Sequence, residues 1–170
     1  WFNLDRIFRS SHSRNFKYIQ NTFDMKRAVF PGSFDPFTAG HQAIVQRGLS
    51  IFDEIIIAIG NNNEKYSTGS LENRLDILQE LYKNEARISV KSYNGLTYEF
   101  CQSNEADFIL RGIRNSRDFI YEQAIAQTNR QIGNIETIFL SAEPQFSHIS
   151  SSIARDIARH GGDLSSFLPK

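Results

Sequence analysis

Along the chain, short apolar runs alternate with longer stretches of helical periodicity. Lys26–Phe30 reads as a brief strand that ends at Pro31-Gly32. From Gly40 to Phe52 the apolar residues Ile44, Val45, Leu49 and Phe52 fall on one helix face. Glu54–Gly60, EIIIAIG, is an almost unbroken β-branched run, as expected of a strand covered on both faces. After the polar NNNEKYSTG, Ser70 is placed to cap a helix with Glu72 in its first turn. That helix should bury Leu71, Leu75 and Leu78, with Leu81 and Tyr82 beside them. Arg87–Tyr93 is strand-like, Thr97–Asn104 a short helix, and Asp107–Ile113 a strand running into arginines. Ser116–Ile132 follows as a long helix and Glu136–Ala142 as a fifth strand. Ser150–His160 closes the pattern, with Ile153, Ala154, Ile157 and Ala158 on one side.

Five strands alternating with helices predict one doubly wound α/β domain, Rossmann-like, built on a five-stranded parallel sheet. A chain of 170 residues fits one such domain, with no internal repeat, low-complexity tract or linker. In these sheets ligands bind beyond the carboxyl ends of the strands. The first 24 residues differ, being rich in Arg, Ser, Asn and aromatics without a sustained period. They read as a non-catalytic N-terminal extension, 1–24, with Met25 the natural start of a catalytic domain spanning 25–170. An organellar presequence fits less well, because Asp5 and Asp24 interrupt the stretch.

Charge sharpens the picture. Lysine plus arginine equals aspartate plus glutamate at 19 each, so no overall field draws the protein to nucleic acid or to an anionic membrane. No apolar run approaches the roughly 18 residues needed to cross a bilayer. Anions must be bound by locally placed cations. Cys101 is the single cysteine, which excludes an intrachain disulfide and a cysteine-built zinc site and fits a reducing cytoplasm. His12, His148 and His160 show no metal-ligand spacing.

The residues that leave the strands at the carboxyl edge share one chemistry. The first strand exits through Gly32-Ser33-Phe34-Asp35 toward His41, the second into Asn61–Lys65, the fourth through Arg111-Gly112-Ile113-Arg114, and the fifth toward Phe146 and Ser150–Ser152. Glycines admit a ligand close to the backbone, and the free amides of a serine-capped helix start favour an anion. Arginine grips phosphate bidentately and lysine supplies a mobile charge. An imidazole can donate to a phosphoryl oxygen as charge shifts. Each element also has a plain structural reading: His41 as a helix cap or packed residue, the prolines as turn formers, the serines as an ordinary cap. By the same token Arg114 could pair with Asp118, and Cys101 could be a small apolar filler. Their convergence at one edge favours phosphate handling. There is no GxGxxG after the first strand and no GxxxxGK(S/T), which disfavours a dinucleotide site and a P-loop.

With these residues in hand, the sequence resembles the phosphopantetheine adenylyltransferases. Their opening motif YPG(S/T)FDPxTxGH appears as FPGSFDPFTAGH, and the likeness runs on through RGIRNSRDFIYE, TNR, FSHISSSIARDIARHGGD and FLP. Thr38 stands where the wider nucleotidyltransferase superfamily carries the first histidine of HxGH. The resemblance implies transfer of AMP from ATP to 4′-phosphopantetheine, giving dephospho-coenzyme A and pyrophosphate in coenzyme A synthesis. It also implies Mg²⁺ as cofactor and a homohexamer in the cytoplasm. Carried over by motif, His41 stabilises the transition state, with Lys65 and Arg114 as further catalytic cations. Ser33, Lys65, Thr97 and Arg111 hold the acceptor. ATP contacts fall on Ser33, Phe34, His41, Gly112, Ile113, Arg114 and Glu122, and on Phe146, Ser147, His148, Ile149, Ser150, Ser151 and Ser152. No protein side chain is assigned to the metal. Phe146 and His148 replace residues often aromatic in the family, tryptophan in the first case. Alternatives are a sister enzyme using another phosphate acceptor, or a silent nucleotide-binding protein.

Overall fold

The run EIIIAIG feeds two apolar layers. Ile55, Ile57 and Ile59 join one buried cluster with Ala28, Phe30, Val45 and Leu110. Ile56 and Ala58 join the other with Val29, Cys101, Ala106 and Ile109. Alternate side chains of a strand point to opposite faces, so this strand lies inside a sheet covered on both sides. The computed structural model describes residues 25–61 and 69–170; the expected extension 1–24 and Lys65 lie outside the described residues.

The elements in order are β1 (Arg27–Gly32), α1 (Ala39–Gly48), β2 (Glu54–Gly60), α2 (Leu71–Tyr82) and β3 (Ile88–Tyr93). They continue with α3 (Thr97–Ser103), β4 (Phe108–Ile113), α4 (Ser116–Gly133), β5 (Glu136–Ser141), a 3₁₀ turn at Pro144–Phe146, and α5 (Ser151–Arg159). The strands form one parallel sheet in the order β3-β2-β1-β4-β5. This is the α/β Rossmann-like architecture expected from the alternation.

Helix ends follow their caps. The Ser70 hydroxyl accepts from Asn73 N at 3.1 Å and starts α2. Asn115 does the same for α4, and Asn134, in the left-handed region at φ 55°, closes it. Cys101 is fully buried in α3, and burial pushes its thiol up to about 12, so it packs as an inert apolar group.

Two periodicities mislead. The helix expected through Phe52 stops at Gly48, where the ladder tightens into i→i−3 bonds, Ser50 N to Arg47 O at 3.1 Å and Ile51 N to Gly48 O at 2.9 Å. Phe52 is still buried, in the connecting turn against the Phe108 ring. In α5 only Ala154 is fully buried, whereas Ile153 is 47% exposed and Ala158 faces outward. α5 follows the edge strand β5, and polar bonds, described below, fix it to the β1–α1 loop.

At the front of the sheet, α1 lies tight on β4 because position 112 has no side chain. A Cβ on Gly112 would stand 2.9 Å from Cγ1 of Ile44. Gly112→Ala should therefore destabilise the fold by about 1–3 kcal/mol, read as a lower denaturant midpoint at unchanged slope.

Candidate active site

The strand order reverses between β1 and β4, and a cleft of about 1560 Å³ opens at their carboxyl ends. That exceeds the roughly 300–1,000 Å³ of a pocket for one small ligand, leaving room for two substrates. The cleft is lined by Ser33, Phe34, His41, Thr97, Arg111 and Gly112, and also by Arg114, Glu122, Phe146 and Ile149 to Ser152. Ile113, Ser147 and His148 do not line it. Ile113 pairs with Ser141 in the sheet, the Ser147 hydroxyl donates to Pro144 O, and exposed His148 packs edge-on against Phe167.

His41 is held by the start of its own helix. Thr38, the N-cap, accepts from His41 N through its hydroxyl, while the Thr38 N–H donates to His41 Nδ1 at 3.0 Å. The Thr38 hydroxyl also lies 3.0 Å from Nδ1. This is a capping box with histidine in the place usually taken by glutamate or glutamine. An Nδ1 that accepts an amide proton carries none itself, so the ring proton resides on Nε2. Phe30, Phe34 and Phe37 surround the imidazole with ring centroids 6.1, 5.2 and 5.3 Å away. Burial, reinforced by the charges of Arg111 and Arg114, lowers the His41 pKa from 6.5 to about 4. The ring is thus neutral near pH 7, a donor at Nε2 only.

The β1–α1 loop that supplies this cage has a special backbone. Phe34 adopts φ 47°, unusual for an aromatic residue. Its ring lies over Gly32, where a Cβ would meet ring carbons at 2.8 Å; only glycine fits there. The loop is held from outside by its carbonyls. Arg111 Nη1 donates to Pro31 O, Arg74 Nη1 to Ser33 O at 2.5 Å, and Arg155 Nη1 to Asp35 O at 2.5 Å. The Ser151 hydroxyl donates to Pro36 O at 2.9 Å.

Both arginines of the RGIR segment are ion-paired. Arg111 grips the Glu122 carboxylate with two nitrogens, Nε at 2.7 Å from Oε2 and Nη2 on Oε1. Arg114 Nε lies 2.8 Å from Asp118 Oδ2, the i,i+4 pair foreseen from spacing, and Arg114 Nη1 donates to Ile149 O at 3.3 Å. At the mouth, the Ser150 hydroxyl caps α5 by accepting from Ile153 N at 3.2 Å, which leaves the first amides of the helix unsatisfied by the helix itself. Thr97 stands at the far rim with its hydroxyl 3.0 Å from that of Tyr93.

Several lining residues escaped the sequence reading, Arg74, Arg155 and Asn129 among them. Arg74 looked like an ordinary helix-surface charge. Arg155 sits three residues after Ser152, on the same turn of helix, and that spacing was the signal available for it. Asn129 is a polar residue only 8% exposed in α4; the TNR motif that contains it was the signal, though no role was attached to it.

The cytidylyltransferase-like family model matches residues 29–157. A phosphopantetheine adenylyltransferase of Flavobacterium psychrophilum is 54% identical over 146 residues, 86% of this chain and 97% of that one. Those of Christiangramia forsetii and Bacteroides fragilis are 51% and 47% identical over 85% and 86% of this chain, and over 96% and 97% of their own lengths. The crystal structure of a bifunctional NMN adenylyltransferase/ADP ribose pyrophosphatase from Francisella tularensis superimposes with a TM-score of 0.67 at 14% identity. It covers 85% of this chain and 45% of its own, and shares the fold. With the T-x-G-H cap, the RGIR strand end and the serine-capped helix all meeting at one cleft, the chain belongs to the phosphopantetheine adenylyltransferase family.

Proposed function

We propose that the chain transfers the adenylyl group of ATP to 4′-phosphopantetheine, giving dephospho-coenzyme A and pyrophosphate. The observation that carries this reading is a neutral His41, fixed as an Nε2–H donor beside two arginines in a cleft with room for two substrates. An oxygen of the acceptor phosphate forms a bond to the α-phosphorus of ATP. The bond from that phosphorus to its α,β-bridging oxygen breaks, and pyrophosphate departs with the electron pair. The attacking oxygen is already anionic, so alignment and charge stabilisation matter more than a strong base. His41 donates to the α-phosphate oxygen as charge shifts onto it. Because the ring holds its single proton at Nε2, it stabilises without giving that proton up.

Arg114 faces the departing pyrophosphate, while Ser33, Lys65 and Arg111 hold the acceptor phosphate and Thr97 its arm. The nucleotide is held by the loop at Ser33-Phe34, by Gly112 and Arg114, and by Phe146 and Ile149–Ser152 at the start of α5. Glu122 bears on both sides through its grip on Arg111. Among the described residues no group of three or more His, Cys, Asp or Glu side chains is arranged to hold a metal ion. Mg²⁺ commonly keeps company with substrate phosphates and would offset part of their charge here. Homohexameric assembly and a cytoplasmic location complete the reading. Association between copies is supported by α4, which exposes Ile120 at 68% and Ile132 at 53%, apolar side chains suited to burial against another copy. No helix among the described residues is long and apolar enough to cross a membrane.

The direct test incubates the full chain with ATP, Mg²⁺ and 4′-phosphopantetheine and follows pyrophosphate and dephospho-coenzyme A, which should appear in equal amounts. Pyrophosphate released only with another acceptor, such as nicotinamide mononucleotide, would overturn the reading. His41→Ala should lower kcat roughly 100- to 1000-fold and leave ATP affinity nearly unchanged; the reverse split removes His41 from the chemistry.

Stability should also report the His41 environment. Its folded pKa is depressed, so the unfolded chain binds the proton more tightly, and stability falls as pH drops from 6.5 toward about 4. The loss is on the order of 3 kcal/mol. In His41→Asn, whose Oδ1 can still accept from Thr38 N, that component of the pH dependence should vanish from denaturant titrations. Ile120→Glu should reduce the assembled mass measured by light scattering while leaving the far-ultraviolet spectrum of the fold intact.

A further inference from the structure

Arg74 differs from the two RGIR arginines in what it touches. Arg111 and Arg114 each face a carboxylate, Glu122 and Asp118. Arg74 is bound instead to neutral carbonyl oxygens, Ser33 O at 2.5 Å and Ser70 O at 3.4 Å. A carbonyl accepts a hydrogen bond without cancelling the donor's charge; a carboxylate cancels it. The exposed Glu72 feels Arg74 only as the weakest of four influences on its ionisation. Arg74 lines the cleft, and α2 follows β2, so the guanidinium reaches the β1–α1 loop from the side away from β4 and α5.

Its grip falls where the loop most needs one. Ser33 is exposed and precedes Phe34 with its positive φ, so nothing in Ser33's own side-chain packing fixes the turn. Holding the Ser33 carbonyl outward fixes the peptide plane and with it the direction of the Ser33 side chain. The same guanidinium keeps further N–H donors and its full charge at that point.

We propose that Arg74 is an acceptor-side residue of this cleft, which orients Ser33 through its carbonyl and offers a guanidinium that forms no ion pair among the described residues to the phosphomonoester that Ser33 meets. This rests on the adenylyl-transfer reading. It assigns the Arg74 charge to the acceptor phosphate, with Ser33 and Arg111, and leaves most nucleotide contacts to Gly112, Arg114 and the start of α5. The two substrates should therefore respond differently to its loss.

The experiment compares wild-type full chain with Arg74→Met and Arg74→Lys, varying each substrate in turn at two salt concentrations, with thermal unfolding as a check on folding. A charge-assisted phosphate contact corresponds to roughly 10- to 100-fold in affinity. Arg74→Met should raise the KM for 4′-phosphopantetheine by that factor and weaken its salt dependence, while the KM for ATP moves less than about twofold. Arg74→Lys, which keeps the charge and loses the fork, should recover part of the acceptor affinity. Unchanged acceptor KM in Arg74→Met overturns the assignment. So does an equal rise in both KM values with lowered thermal stability, which marks a structural strut alone. A wild-type chain inactive toward 4′-phosphopantetheine overturns the functional reading and this inference together; an active wild type with an indifferent Arg74→Met overturns only the inference.

Discussion

The capping box at the start of α1 is the contact on which both fold and chemistry depend. The four N–H groups that open a helix need partners, and Thr38 supplies one while receiving a partner from His41 in return. A residue that satisfies a structural requirement in this way cannot swing freely. The imidazole is consequently aimed, and its tautomer is set, by the same bonds that begin the helix. Three phenylalanines around it remove water and keep it uncharged. A charged histidine would have been an equally good cation for phosphate, but it would have suffered repulsion from Arg111 and Arg114. The site divides the labour: fixed cations carry charge, and a neutral ring supplies a directed donor.

The loop between β1 and α1 is organised by what grips it. Pro31, Ser33, Asp35 and Pro36 each lend a carbonyl to a side chain from β4, α2 or α5. These elements are far apart in sequence, and each brings a guanidinium or hydroxyl to the cleft at the moment it anchors the loop. Structural and functional uses of the cations are therefore not alternatives. Arg111 is at once tied to Pro31 and Glu122 and placed at the strand end where phosphate chemistry is expected. Close packing supports this arrangement, since Gly112 lets Ile44 and the helix carrying His41 approach β4.

The strands, their order in the chain and most caps were legible because each rests on local rules. A β-branched run bounded by glycine and charge is a strand wherever it is buried, and Ser70 caps its helix without help from distant residues. The failures are also physical. Phe52 has helical spacing, yet after Gly48 the chain tightens into i→i−3 turns and Phe52 is buried from the connection to β2. Ile153 and Ala158 share a helix side with Ala154, yet α5 is fixed to the β1–α1 loop by polar bonds, and of that side only Ala154 is fully buried. Glu122 could be placed beside Arg111 only by folding, and in the structure its carboxylate lies on that arginine.

By itself the sequence determined the α/β alternation, the edge of the sheet where the chemistry gathers, and the identity of His41, Ser33, Arg111 and Arg114 as the residues to watch. Local propensity and motif spacing are properties of short segments, so they can be read from short segments. Tertiary structure alone decided the tautomer and neutrality of His41, the pairing of Arg111 with Glu122, and the roles of Arg74, Arg155 and Asn129 as cleft residues. Those properties depend on burial and on distances between charges that are tens of residues apart in the chain. A lone arginine on a helix carries no mark of the carbonyl it will hold, and only the closed sheet brings the two together.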